Sequence, residues 1–301
     1  MKRILTAVLA MALGILLVSM NGAAAESTPL FYEVRDDAGH KLYLMGTIHL
    51  GAESMYPMDE PVQQAYRESE IIAVEMDVAS FMSNPFSMAR YGLALNYGLG
   101  DGAANHLSKE TYDLGMQAID QPGILLSRMH PQGWIAFAEE QSYARTGQSK
   151  DWGVEMVLLK QAHKDRKKVE EVEGLDDQIA MVLSIPDAVA DYQLLQLVKY
   201  PEQADARFAA MGAAWASGDK ETMQQLIREE RTVPPELEEA FRPYDERYHT
   251  LRDDAMEEKA VQYLESGKTV FMALGNSHVI GDHALVERLA ERGYTVIENR
   301  R

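Results

Sequence analysis

The 301-residue chain contains no cysteine. That excludes disulfides, thiolate metal ligands, a cysteine nucleophile and a lipid-modified cysteine anchor. Positive charge is scarce as well: 29 Lys and Arg stand against 47 Asp and Glu, a formal net charge of −18. So acidic a chain is expected to have neither nucleic acid nor an anionic membrane surface as a partner. Beyond the first residues there is no long hydrophobic run, no low-complexity segment and no tandem repeat. The P-loop, G-x-G-x-x-G, H-E-x-x-H and G-x-S-x-G patterns are all missing, which removes the commonest nucleotide-binding and hydrolase signatures.

What is present begins with the pattern expected of a leader. Lys2 and Arg3 precede an almost unbroken apolar run from Ile4 to Val18, and Ala23-Ala-Ala25 offers small residues before Glu26. This is the pattern of a secretory signal peptide over residues 1–25. The run is short for a membrane span. The mature protein, 26–301, is therefore expected to be exported, periplasmic or secreted, without stable membrane insertion after cleavage. Its length suits one large domain or two small ones, and a single domain over 26–301 is expected; the 46% hydrophobic content is compatible with a substantial core.

Phe31–Arg35 and Lys41–Met45 read as strands joined by the turn residues 36–40, a β-hairpin. Asp59 is placed to cap a helix from Pro61 to about Glu70, and Ile71–Asp77 reads as a buried strand. Residues of about 81–266 are largely helical by periodicity, with a short strand near 167–172. Pro234-Pro235 and Pro243 are expected to set off a last long helix over 244–265. Thr269–Leu274 reads as a strand, Asp282–Arg292 as a helix ended by Gly293, and Tyr294–Ile297 as a final strand. The expected fold is α/β. Its mainly parallel sheet is built from N- and C-terminal βαβ units, over 31–80 and 268–301, around a long helical insertion.

The two ends carry the same short text. Lys41-Leu-Tyr-Leu-Met-Gly-Thr-Ile-His-Leu-Gly51 and Thr269-Val-Phe-Met-Ala-Leu-Gly-Asn-Ser-His-Val-Ile-Gly281 are each an apolar strand, Gly-x-x-His and a further Gly. A strand that ends this way delivers an imidazole to the carboxyl edge of a sheet, where open α/β folds bind ligands. Gly46 and Gly275 would allow a sharp turn, and Gly51 and Gly281 a positive φ or a close approach to a ligand. His49 and His278 are thus the leading candidates. Glu75 is the third, because a carboxylate within an apolar strand needs a cationic, metal or imidazolium partner. Asp77 reads as the end of that strand and the cap of the next turn. His40, His106, His130, His163, His249 and His283 read as surface or capping residues, and the methionines as core filler.

Two imidazoles and a carboxylate form a familiar shell for Zn, Mn or Fe with open positions for water. The same trio can work without metal, one His acting as general base on water and Glu75 orienting it. The residues leave both possibilities open.

These residues resemble a known family. Leu44-Met-Gly-Thr-Ile-His-Leu-Gly51, Val74-Glu-Met-Asp77 and Ala273-Leu-Gly-Asn-Ser-His-Val-Ile-Gly281 look like the TraB/GumN-type proteins. That family includes the Tiki metalloproteases and the pheromone-shutdown (PrgY-like) proteins, and is more distantly similar to erythromycin esterases and ChaN-type haem-binding lipoproteins. Its two Gly-x-x-His motifs and its Glu fall on His49, His278 and Glu75. Gly153-Val-Glu155 resembles its Gly-Val-Asp with Glu in place of Asp, Val172-Glu173 with Gln178 its Leu-Glu-Thr-x-x-x-Gln with Gly174 in place of Thr, and Leu251-Arg-Asp-Asp254 its Arg-Asn or Arg-Asp element. The resemblance implies a sheet core with a helical insertion and a divalent-metal-dependent hydrolase acting on a peptide, other amide or ester bond. His49, Glu75 and His278 would be metal ligands or catalytic groups, and Glu155, Glu173, Gln178, Arg252 and Asp253 would support them or orient a peptide or small-molecule substrate. The relatives also imply the alternative of a non-catalytic protein that holds haem, metal or a peptide with the same His pair.

Overall fold

The structure is a computed structural model that describes residues 27–299. The expected signal peptide, 1–25, lies outside the described residues. Six strands form one sheet: β1 (Phe31–Arg35), β2 (Lys41–Thr47), β3 (Ile71–Val74), β4 (Lys168–Glu171), β5 (Val270–Gly275) and β6 (Thr295–Glu298). Their order is β4-β3-β5-β2-β1-β6. The β2–β5, β3–β5 and β3–β4 pairs are parallel, and β1 runs against both of its neighbours. The chain is an α/β protein with a mixed, mostly parallel sheet, as its alternating pattern predicts.

The local reasons are visible in the text. Gly39, at φ +86°, closes the β1–β2 hairpin. The Asp59 side chain accepts the Val62 N–H and starts the helix Glu60–Glu68, with Pro61 in its first turn. Every residue of β3 is buried, and β5 is buried from Val270 to Leu274, as befits strands covered on both faces. Gly293, at φ +94°, follows the helix Leu285–Glu291.

Two details differ from expectation. The strand at Ile71 ends at Val74, and Glu75 leaves the ladder in a bend. Pro243 does not break the chain: it lies within the helix Glu238–Asp245, which runs through a π-helical turn, Glu246–Thr250, into the helix Leu251–Glu265. The N- and C-terminal repeats also interleave. β5 sits between β2 and β3, so each copy of the motif pairs with the other.

That interleaving positions the site. Thr47 stands opposite Gly275 and Val74 opposite Ala273, so the carboxyl ends of β2, β3 and β5 meet at one edge. The main core lies on the two faces of the sheet, and a second apolar cluster around Trp134, Leu126 and Leu194 consolidates the helices of the insertion.

Candidate functional site

His49 sits two residues past β2, in a loop fastened to the segment before the helix Val154–Asp165. Gly51 and Ser149 exchange backbone hydrogen bonds at 3.2 and 2.8 Å, and the Val154 N–H donates to the Ile48 carbonyl at 3.0 Å. This brings Glu155, in the first turn of that helix, to the imidazole: Nδ1 and Oε1 are 3.0 Å apart. Thr47 Oγ1 also donates to the same carboxylate. The His49 side chain is nonetheless 73% exposed, so Glu155 holds one edge of the ring and the other faces open space. The Glu155 charge raises this imidazole to about 9, against the opposing effect of desolvation.

His278 is built differently. It lies in the one-turn helix Asn276–Ile280 and is 2% exposed. Its Nδ1 is 2.6 Å from Asp253 Oδ1, from the first turn of the helix Leu251–Glu265. Both imidazoles therefore have Nδ1 fixed by a carboxylate, an arrangement that orients the ring and leaves Nε2 for other work.

Glu75 is fully engaged. One oxygen accepts the Gly275 N–H at 2.7 Å, and the other accepts Arg252 Nη2 at 2.7 Å. Arg252 also grips Glu173 through two nitrogens, and Gln178 donates to Glu173 at 2.6 Å. Burial alone would raise the Glu75 carboxyl. The positive fields of His278, Arg252 and His49 and the Gly275 N–H outweigh it and hold the group at about 2. Arg252 further lies over the Tyr248 ring, 5.1 Å from its centroid. The π-helical turn just before it brings Tyr248 and His249 towards the site, and the His249 ring is 5.8 Å from that of His278. Burial and the charges of Arg231, His278 and Arg252 push His249 down to about 2, so it is neutral.

These parts border a cavity of about 310 Å³. His49, Gly275 and Asn276 form its sheet-edge wall. Glu139, Arg207 and Tyr248, with Tyr143, Glu230 and His249, form the wall supplied by the helical insertion. Glu75 and His278 do not line it. The eight residues expected to cooperate thus fall into three linked groups: His49 with Glu155, His278 with Asp253, and Glu75 with Arg252, Glu173 and Gln178.

The glycines act through contact. None of Gly46, Gly51, Gly275 and Gly281 has a positive φ. A Cβ on Gly46 would stand 2.1 Å from Asn276 Oδ1, and one on Gly51 would stand 2.0 Å from the Trp152 carbonyl oxygen. The motif glycines are what allow the two ends of the chain, and the 149–153 segment, to close on one another.

A divalent ion held by His49, Glu75 and His278 together does not fit this arrangement. Both Glu75 oxygens are occupied, and among the described residues no three His, Cys, Asp or Glu side chains are grouped to hold a metal. The two Nε2 atoms are the donors that remain.

Sequence reasoning passed over Glu139 and Tyr248, and it reads His249 as a surface or capping residue, whereas the structure buries that side chain beside His278. Glu139 is one acidic residue among 47, and only its helical spacing from Gln132, Ile135 and Tyr143, which line the same cavity, could have marked it. His249 sits in a π-helical turn, which no periodicity reveals.

The family model described as TraB/PrgY/gumN family matches residues 30–298, and the chain belongs to that family. The protein named "Uncharacterized protein YbaP" in Escherichia coli (strain K12) is 27% identical over 146 residues, 48% of this chain and 53% of its own length. The protein of the same name in Shigella flexneri matches to the same extent. The chain thus spans about half the length of the curated relatives it matches. No solved structure matches.

Proposed function

We propose that this protein is an exported hydrolase of peptide, other amide or ester bonds, and that the cavity beside His49 receives the bond. The single observation behind this reading is the His49–Glu155 pair. A carboxylate fixes Nδ1 at 3.0 Å while the ring stays open to the cavity, the arrangement by which an imidazole exchanges a proton with a bound substrate.

The steps follow from which groups carry protons. At neutral pH His49 is held as the imidazolium. It polarises the scissile carbonyl, or gives its Nε2 proton to the leaving nitrogen or oxygen as the bond breaks. Water supplies the incoming oxygen, and its proton needs a base in the same cavity. Glu75 is a weak base, being held at about 2. Its role is instead to carry a fixed negative charge that, with Arg252, Glu173 and Asp253, keeps the sheet edge and His278 in place. Export rests on the Lys2-Arg3 start, the Ile4–Val18 run and Ala23-Ala-Ala25.

A second reading keeps a divalent ion, Zn, Mn or Fe. It is favoured by the two carboxylate-anchored imidazoles, whose geometry is that of metal ligands; Arg252 would have to release Glu75 to complete the set. Both readings are tested on the purified mature protein with an internally quenched peptide mixture and simple esters, after chelation and after adding each ion. Turnover that His49→Ala lowers by about 10²–10⁴-fold supports the hydrolase. Turnover restored by one ion alone supports the metal reading. Tight peptide or haem binding with no cleavage under any condition sinks the enzyme and leaves a sequestering protein.

A further inference from the structure

The wall that the helical insertion gives the cavity also holds apolar side chains that nothing above has used. Ile135, Met181, Met211, Met223, Ile227 and Phe241 border one space, although they come from separate helices. Ile135, Met223, Ile227 and Phe241 are buried, and Met181 and Met211 are half-buried, so together they bound an interior space rather than an open face. This wall is fastened to the sheet edge. Gln224, between Met223 and Ile227 on the helix Lys220–Glu230, donates through Nε2 to the Ile280 carbonyl at 2.8 Å. Packed interiors keep few gaps larger than a water molecule. A space of about 310 Å³ instead reaches the size at which ligand pockets begin.

The charged groups of the same cavity already have partners. The Tyr143 hydroxyl donates to Glu139, and Glu230 stands 3.9 Å from Arg207. Arg231 grips Asp245 through Nε and Nη2 at 2.9 and 2.7 Å. What remains for a ligand to match is apolar surface, whose burial favours binding without regard to direction.

We propose that this cavity is a specificity subsite for one large apolar side chain, aliphatic or aromatic, of the residue beside the scissile bond in a peptide substrate. This rests on the hydrolase reading. His49 borders the same space as the apolar groups, so a side chain lodged among them holds the adjoining bond at the imidazole. Met181, Met211 and Met223, which sequence alone reads as core filler, give the subsite its tolerance. Flexible thioethers adapt to guests of different shape, so Leu, Met and Phe are accepted alike. Gly gains nothing there, and Lys or Glu would have to give up water for an apolar wall.

The test uses quenched peptides that carry a single Gly, Ala, Leu, Phe, Lys or Glu in an otherwise constant Ser-Gly host. For wild type, kcat/KM on the Leu and Phe peptides should exceed that on the Gly peptide by about 10-fold or more, with Lys and Glu no better than Gly. Gly, Leu and Phe peptides within about threefold of one another, or Lys preferred, overturn the subsite and leave the hydrolase standing. Met211→Trp, which fills the space, should cut the Leu-to-Ala ratio of kcat/KM by about 10-fold. An equal loss on both peptides is a structural effect and overturns the assignment. Should Met211→Trp not fold, as judged by circular dichroism, Met181→Phe decides by the same ratio. Should wild type cleave none of the peptides, the hydrolase reading falls and binding of the same peptides, read by fluorescence anisotropy, decides the subsite. Leu and Phe peptides bound about 10-fold more tightly than Gly support it, and equal binding overturns it.

Discussion

At the scale of single residues the account turns on charges held by neighbours. Arg252 is 10% exposed at its side chain, and its partners Glu75 and Glu173 are 15% and 10% exposed. Removing one member of such a buried network strands the rest. Arg252→Met is therefore expected to cost about 3–5 kcal/mol in urea unfolding, and a loss within about 0.5 kcal/mol, ordinary for a surface change, would contradict it. Glu75 makes this network acid-sensitive. Its folded carboxyl is held at about 2 against an ordinary 4.5, so its contribution is present above about 4.5 and is lost as pH falls towards 2. His49 works in the opposite sense. Raised from 6.5 to about 9, it contributes stability that is complete below about 6.5 and gone above about 9. The melting temperature of wild type should exceed that of His49→Asn at pH 6, about half a unit below the unperturbed value, and the gap should close by pH 9.5, just past the raised one. A gap that widens with pH would refute the Glu155 pairing.

At the scale of elements, the hairpin, the two Gly-x-x-His strands and the cap at Asp59 were legible because each is a local signal: alternation, turn residues, a side chain that bonds its own helix. What was not legible depends on distant partners. Sequence alone assigns Gly46 and Gly275 a sharp turn and Gly51 and Gly281 a positive φ or a close approach to a ligand, yet their φ values are ordinary and their reason is contact within the protein, which no single segment carries. Gly51→Ala tests this. The Cβ, 2.0 Å from the Trp152 carbonyl, must push apart the 49–51 and 149–153 segments, at a cost of about 1–3 kcal/mol. The same shift should move Glu155 and lower the His49 pKa, measured by imidazole NMR. An unchanged titration would mean that the loop does not set the pair. The π-helical turn Glu246–Thr250 is a second case. It inserts one residue of register before Arg252 and Asp253, so Tyr248 faces the cavity while those two face Glu75 and His278. π-helical turns often mark functional sites for this reason.

At the scale of the whole molecule, the α/β class and the helical insertion followed from the order of apolar patterns along the chain. The strand order did not. Two similar βαβ texts suggest two units side by side, whereas β5 pairs with both β2 and β3. Interleaving buries each repeat against the other and gathers His49, Glu75 and His278 at one edge, although His278 lies 229 positions after His49. The two imidazoles then diverge: His49 opens into the cavity and His278 is sealed behind it. Their distinction was invisible in sequence because burial is decided by the insertion that covers them. The most direct test of the account measures turnover and melting temperature side by side for wild type, His49→Asn and His278→Asn. The account predicts that His49→Asn loses about 10²-fold or more in kcat/KM at neutral pH while remaining folded, and that His278→Asn, which strands Asp253, loses stability first. Wild-type turnover in His49→Asn would contradict it.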